Sequence, residues 1–270
     1  MRATHRLQRF ACHVGVMAVG VCVAASASAQ TVLLDFGTNL SFRGVSTVSP
    51  DANGHYWNNI VPGNYIPDMR DINNVTTTID LGPDTPVATD SYNGPAGATD
   101  MGTPASNVPN TDIDTVALGN LGVLTAGFDF AASPGNDSEP LLSNRTRFQL
   151  QGLDPAAKYT LTFFGSHKYN ADAATVYSVF NDDAYSNLLD SASLNVHDPV
   201  DFSAHNRNQV AVIGNLSPAA NGILYVQFVG ANNYNGYLNS MQITGTAIPE
   251  PASLLLLLCG VTMVFGIRRR

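Results

Sequence analysis

The chain has 270 residues, with 13 basic and 21 acidic side chains. Charged residues make up only 13% of it, about half the share of an ordinary soluble domain. Six of the basic residues are arginines in apolar segments at the two ends. The central part, residues 31–247, carries seven basic and twenty acidic residues, a net charge of −13. This charge excludes electrostatic binding of the central part to nucleic acid or to an anionic membrane surface.

The N-terminal residues have the pattern of an export signal. Three arginines precede an apolar stretch from Ala11 to Ala25, and residues 27–29 read Ala-Ser-Ala, a small-x-small cleavage site. We therefore predict a signal peptide over residues 1–30. The alternative is a permanent membrane anchor, which the shortness of the apolar run disfavours.

Residues 31–247 are predicted to form one all-β domain, a single sandwich that resembles a jelly roll. Short apolar or alternating runs recur between turns rich in Gly, Pro, Asn and Asp, and no helical periodicity exceeds about two turns. Such spacing favours a sandwich. The predicted strands are 31–36, 75–81, 123–130, 146–151, 158–165, 174–180, 208–213, 222–229 and 237–246, with weaker ones near 44–48 and 56–60.

Residues 82–120 interrupt this pattern, because they are rich in Pro, Gly, Thr and Asp and poor in large apolar side chains. Two interpretations remain open for them. They form either a long loop that covers one sheet or a mobile surface segment.

A candidate ligand-binding cluster lies near the start of the domain, at Tyr56, Trp57, Asn58 and Asn59. Sugars stack their C–H faces on aromatic rings and pair their hydroxyls with amides. The cluster therefore suggests a carbohydrate site. The alternative is structural: the single tryptophan fills the core and the two asparagines form a turn.

The sequence gives weak indications of metal binding. All three cysteines lie in the end segments, so the domain has no disulfide and no thiolate site. A structural calcium ion is the one cofactor that its aspartates suggest, at Asp112 and Asp114 or at Asp182 and Asp183, although no calcium-loop motif is present. Histidine spacing does not indicate zinc.

Catalytic motifs are also missing from the sequence. There is no Gly-x-Ser-x-Gly elbow and no phosphate-binding glycine loop. We predict that the protein is not an enzyme. The alternative, a weak glycan-directed hydrolase, would need a cleft that holds a carboxylate pair or a Ser–His contact.

The C-terminal segment, residues 248–270, combines three signals in order. Pro249, Glu250 and Pro251 precede an uncharged apolar run, residues 252–267, and the chain then ends in Arg268, Arg269 and Arg270. A helix of that length spans about 24 Å, which is short for a membrane but can be accommodated by local thinning. The arginines belong on the cytoplasmic side.

This tail resembles the PEP-CTERM sorting signal. The resemblance implies that a membrane exosortase recognises and cuts the segment near Pro249-Glu250-Pro251, in a Gram-negative host that makes exopolysaccharide. It further implies a transient inner-membrane anchor, with the domain outside the cytoplasm and later at the cell surface or in the extracellular matrix. A plain tail anchor is the alternative.

Several motifs of the central part also resemble exported β-sandwich proteins that carry this tail and, more loosely, galactose-binding-like sandwiches. The motifs are Leu33-Leu34-Asp35-Phe36-Gly37, Tyr56-Trp57-Asn58-Asn59-Ile60, Gly152-Leu153-Asp154-Pro155, Tyr159 to Ser166, and Gly236 to Ile243. The resemblance implies a non-enzymatic surface or matrix protein associated with exopolysaccharide or biofilm. A carbohydrate-binding module is the alternative.

Overall fold

The computed structural model describes residues 30–36, 46–60, 65–82, 88–90, 113–127, 130–133, 147–167, 174–196, 205–233 and 235–246. All of them belong to one unit, Ala27–Ile248. Apart from Gln30, the predicted signal peptide lies outside the described residues, as does the whole predicted sorting segment.

Strands and short 3-10 segments form the regular secondary structure, and the described part of the chain contains no α-helix. The all-β prediction is therefore confirmed for these residues. The strands are β1 (Gln30–Asp35), β2 (Asn58–Asn59), β3 (Asp80–Gly82), β4 (Ala88–Asp90), β5 (Phe130–Ser133), β6 (Arg147–Gln151), β7 (Lys158–Phe164), β8 (Ala174–Phe180), β9 (Leu188–Asn195), β10 (Ala211–Leu216), β11 (Leu224–Gly230), β12 (Gly236–Leu238) and β13 (Ser240–Thr246).

The strands form two five-stranded sheets and one small sheet. We call the first sheet 1, with the order β10-β7-β13-β1-β2, and the second sheet 2, with the order β3-β6-β11-β8-β9. The small sheet has the order β12-β5-β4. The long ladders are antiparallel, whereas β1 and β2 pair in parallel.

The main hydrophobic core takes buried side chains from both five-stranded sheets. β7 of sheet 1 contributes Leu161 and Phe163, and β8 of sheet 2 contributes Tyr177 and Val179. The Phe163 and Tyr177 rings stack with centroids 4.6 Å apart and an interplanar angle of 9°. Because burial of each such side chain is worth about 1.5–3 kcal/mol, these alternate positions hold the two sheets together.

A second hydrophobic cluster covers the outer face of sheet 1. Leu33 of β1 and Phe164 of β7 lie next in sequence to residues of the main core, so they project from the opposite face of their strands. The side chains that cover them come from the segments 46–60 and 113–127: Trp57, Ile113, Leu118, Leu121 and Ala126. Residues 113–120, the described end of the segment predicted to be irregular, therefore help to cover one sheet.

Five of the nine main predicted strands agree with the structure to within two residues at each end, and so does the weaker one at 56–60, which corresponds to β2. The prediction 174–180 coincides with β8, and 31–36, 146–151 and 158–165 match β1, β6 and β7 closely. These strands carry regular alternation or continuous apolar runs, because one or both of their faces are buried.

Other predicted strands were wrong in part. The range 75–81 overlaps β3 only at its last two residues, 208–213 overlaps β10 only at its last three, and residues 46–48 of the weaker range 44–48 form no strand. The range 82–120, predicted to be irregular, contains the short strand β4. The range 123–130 contains a 3-10 segment, Thr125–Gly127, before β5 begins at Phe130. The range 237–246 is broken at Asn239, where β12 ends before β13 begins. β9 was not predicted, because it is an edge strand with Leu194 as its one buried side chain.

Candidate functional site

Trp57, the only tryptophan in the chain, is 2% exposed. Its ring belongs to the second hydrophobic cluster, and its indole Nε1–H donates to Asp51 Oδ2 at 2.8 Å. Its backbone N–H donates to Ser49 Oγ, which in turn donates to the Trp57 carbonyl. Both the apolar surface and the polar atom of the side chain are thus used inside the domain. In this arrangement the ring offers no face on which a sugar could stack.

The amides of Asn58 and Asn59 bind the backbone of neighbouring segments. Asn58 Nδ2 donates to the carbonyls of Leu33 and Arg70, and its Oδ1 accepts the Arg70 N–H at 2.9 Å. Asn59 Nδ2 donates to the Thr47 carbonyl, and its Oδ1 accepts the Thr47 N–H at 3.0 Å. These side chains fasten two loop segments to the edge of sheet 1, where the same two residues form β2.

Tyr56 is the most accessible ring of the predicted cluster, and it is half-buried. The Arg70 guanidinium lies 5.8 Å from its ring centroid, within the range of a cation–π contact. The Tyr56 N–H donates to the Ile72 carbonyl. The structure therefore places the four predicted residues next to one another, but it directs Trp57 inwards and both amides to the backbone.

Asp51 organises the turn that precedes Trp57. One carboxylate oxygen accepts the N–H groups of Asn53 and His55 at 2.8 and 2.9 Å, and the other accepts the Trp57 indole N–H. Burial alone would raise the pKa of Asp51, but the hydrogen bonds from Trp57, His55 and Asn53 outweigh it and lower the pKa below its usual value. The ionised form of Asp51 is therefore part of the folded structure.

Of the four aspartates suggested as calcium ligands, two accept backbone hydrogen bonds and Asp183 is exposed. Asp114 Oδ1 accepts the N–H groups of Val116 and Ala117, and Asp182 accepts those of Ser186 and Asn187. Asp112 lies outside the described residues. No group of three or more His, Cys, Asp or Glu side chains that could hold a metal ion occurs within the described ranges.

A buried Ser–His contact, which the sequence did not predict, lies beyond the end of β7. Ser166 Oγ is 2.7 Å from His205 Nδ1, and the two residues are 0% and 6% exposed. The Ser166 N–H donates to Asn239 Oδ1, and Asn239 Nδ2 donates to the Gly127 carbonyl. Two loops far apart in sequence meet here, so no local motif could have indicated the pair. A serine beside a histidine can be activated as a nucleophile, but this hydroxyl lies below the surface.

An aromatic stack supports the same buried region. The His167 ring stacks on the Tyr237 ring with centroids 4.0 Å apart, and the edge of Phe130 meets both rings. Asn206 Nδ2 donates to the Gly165 carbonyl and so joins the loop before β10 to the end of β7. The region as a whole fixes loop positions beneath the surface.

The residues of the predicted sorting signal, Pro249, Glu250, Pro251 and Arg268 to Arg270, lie outside the described residues. Within the described ranges, no helix has the length and apolar character required to cross a bilayer.

Comparison with known proteins gives no relative for this chain: no protein-family model, no curated protein and no solved structure matches it.

Proposed function

We propose that the protein is an exported, non-enzymatic component of the cell surface or extracellular matrix, sorted through a PEP-CTERM tail and associated with exopolysaccharide or biofilm. The observation that carries this proposal is the order of Pro249-Glu250-Pro251, an apolar run and a terminal arginine cluster. The tripeptide is the element that an exosortase recognises. The apolar run holds the chain in the inner membrane, and the arginines fix its orientation.

We further propose that the domain is a jelly-roll sandwich, and the connectivity of its strands supports this. Four strands of sheet 1 lie in the order β10-β7-β13-β1, and four strands of sheet 2 lie in the order β6-β11-β8-β9. Along the chain these eight strands pass from one sheet to the other at every step except β8 to β9. The first and last of them, β1 and β13, pair side by side. These are the connections of two interleaved Greek keys.

The non-enzymatic assignment rests on the chemistry of the side chains described above. The contact between Ser166 and His205 is the arrangement that a hydrolase would need, but the serine hydroxyl is fully buried. A substrate could reach this hydroxyl only if the loops around it opened.

The sorting proposal is tested by changing the tail in the native host. Deletion of residues 249–270 should abolish membrane association and processing and leave the protein free in the periplasm or the medium. A double variant, Pro249→Ala with Pro251→Ala, keeps the apolar run and the arginines, so it should stay in the membrane uncut. If both variants are processed like the unchanged chain, the sorting proposal fails.

A second candidate function, carbohydrate binding, is favoured by the outer face of sheet 2, which exposes aromatic and amide side chains.

A further inference from the structure

The outer face of sheet 2 carries one continuous row of paired residues across all five strands. Gly82 of β3 pairs with Gln149 of β6, which pairs with Tyr225 of β11; Tyr225 pairs with Phe180 of β8, which pairs with Leu188 of β9. Directly paired residues project from the same face of a sheet. Their sequence neighbours Phe148, Leu150, Val226 and Val179 lie in the main core, so the row faces outwards. Five strands at the usual spacing give the row a width of about 19 Å.

An accessible tyrosine lies at one end of this row. Tyr65 is 48% exposed, and its ring rests on Gly82, where a β-carbon would come within 2.4 Å of the ring. The Tyr65 hydroxyl donates to Asp80 Oδ2. This hydrogen bond, together with slight burial and the negative charges of Asp80 and Asp68, raises the pKa of Tyr65 to about 12. The ring is therefore held against the sheet at Gly82 while about half of the side chain stays exposed.

A second tyrosine reaches the row from the loop between β8 and β9. Tyr185 has a φ of 55°, a left-handed conformation that is uncommon for a bulky residue. Its ring meets Phe180 and Tyr225 edge-on, with centroid distances of 5.5 and 5.8 Å, and the Arg147 guanidinium lies 4.3 Å from its centroid. Hydrogen bonds from the backbone of this loop to Asp182 hold the turn. The loop thus accepts backbone strain and places an aromatic ring on the sheet face.

Glutamine side chains fill the space between the two tyrosines. Gln151 Nε2 donates to Gln149 Oε1 at 2.8 Å, and Arg147 Nε donates to Gln227 Oε1 at 2.7 Å. Within the described part of the chain, the Nε2 groups of Gln149 and Gln227 have no hydrogen-bond acceptor. These glutamines are half-buried, and each is oriented by one bond while its second polar atom remains available to a ligand.

The chemistry of this face fits a neutral glycan. An exposed aromatic ring beside oriented amides matches the alternating apolar and hydroxyl surfaces of a sugar chain. Arg147, a cation on this face, is already engaged by Tyr185 and Gln227. The domain also carries a net charge of −13 over residues 31–247, which repels polyanionic chains.

We propose that the outer face of sheet 2 binds a neutral polysaccharide chain. Tyr65 and Tyr185 lie at the two ends of this face, and Gln149 and Gln227 lie between them. The inference rests on the second candidate function, carbohydrate binding, and gives it a site other than Tyr56-Trp57-Asn58-Asn59. Tyr65 supplies the stacking surface, and Tyr185, which packs against Arg147, Phe180 and Tyr225, marks the other end of the face. Gln149 and Gln227 donate to sugar hydroxyls.

The test measures binding of the full-length chain, purified in detergent, to a soluble β-glucan and a soluble galactomannan, with polygalacturonate as the acidic comparison. The variants are Tyr65→Ala and Gln149→Ala on the proposed face and Tyr56→Ala as the matched control on the other sheet. Tyr65→Phe keeps the ring and removes only the hydroxyl. Circular dichroism verifies that each variant is folded.

We expect saturable binding of at least one neutral glycan, weakened about tenfold or more in Tyr65→Ala, weakened also in Gln149→Ala, and retained in Tyr56→Ala and Tyr65→Phe. If only Tyr56→Ala loses binding, the proposed face is wrong while carbohydrate binding stands. If the unchanged chain binds neither neutral glycan, both the face and the carbohydrate-binding function are overturned. Stronger binding to polygalacturonate overturns the choice of a neutral ligand. None of these outcomes bears on sorting through the tail.

Discussion

The two five-stranded sheets share one core, but their outer faces differ. On sheet 1, Leu33 and Phe164 are completely buried in the second hydrophobic cluster, which also includes Trp57. On sheet 2, the corresponding face carries Tyr65, glutamines and Arg147, all at least partly open to solvent. The covered face stabilises the domain, whereas the open face is available to a partner. The difference separates the residues that maintain the fold from those that could bind a ligand.

The largest effect is expected at the centre of the covered face. Trp57→Ala removes a fully packed ring and leaves the Asp51 carboxylate without its indole donor, so the free energy of unfolding should fall by about 3–5 kcal/mol. Tyr56→Ala, next in sequence but half-buried, should cost much less. Urea unfolding followed by far-ultraviolet circular dichroism measures both. A loss below about 1 kcal/mol in Trp57→Ala would show that the cover contributes little to stability.

The next effect concerns the carboxylate that binds the indole. Asp51→Asn keeps the shape of the side chain but removes its charge and can present an amide N–H to the Trp57 N–H. We expect a loss of about 1–3 kcal/mol at neutral pH. The cause is a buried donor that no longer has an acceptor.

The same residue predicts a pH dependence. The pKa of Asp51 is lower in the folded protein than its usual value of 3.8, so its contribution is complete above that value and is lost as the pH falls through the folded pKa. Unfolding measured between neutral pH and about pH 3 should therefore depend less on pH in Asp51→Asn than in the unchanged chain. Asp182→Asn is the control in the loop after β8 of sheet 2. Burial alone would raise the pKa of Asp182, but hydrogen bonds from Asn187 and Ser186 outweigh it and lower the pKa. Because its side chain is less buried than that of Asp51, Asp182→Asn should give a smaller change. If Asp51→Asn and Asp182→Asn change the pH dependence of unfolding equally, the contrast between the covered face of sheet 1 and the open face of sheet 2 is wrong.

The sequence predicted those strands whose two faces differ in polarity or are both buried. β8 was predicted with its observed bounds because its buried and half-buried positions alternate through the whole strand. β9 gave no such signal, because its edge position leaves most of its side chains exposed. Sequence periodicity reflects the burial of side chains. It therefore does not reveal an exposed edge strand that pairs mainly through its backbone.

The candidate site was harder to predict than the strands. Whether Trp57 is exposed depends on Ile113, Leu118 and Leu121, which lie more than fifty residues further along the chain. The sheet 2 face combines Tyr65, Gln149 and Tyr185, which share no local motif and meet only through the register of the ladders. Local sequence shows which side chains can stack or donate, but strand pairing decides which of them share a face.

The smallest effect on stability is expected on the open face, at Gly82. Its φ is not in the left-handed region, so Gly82→Ala should change the free energy of unfolding by less than about 1 kcal/mol. The added methyl group would nevertheless collide with the Tyr65 ring and displace it from the sheet. The hydrogen bond to Asp80 would then break, and the pKa of Tyr65 should fall from about 12 towards its usual value of 10.0.

Carbon-13 resonances of labelled tyrosine rings, followed during an alkaline titration, measure this change, and Tyr65→Phe assigns the signal. If the ring is displaced, Gly82→Ala should also weaken binding of the neutral glycan, although the fold is retained. An unchanged Tyr65 titration would show that the ring does not rest on Gly82. If the ring is displaced but the glycan still binds fully, Tyr65 is not part of the proposed surface. Stacking on Tyr65 requires its ring to stay at Gly82, next to Gln149.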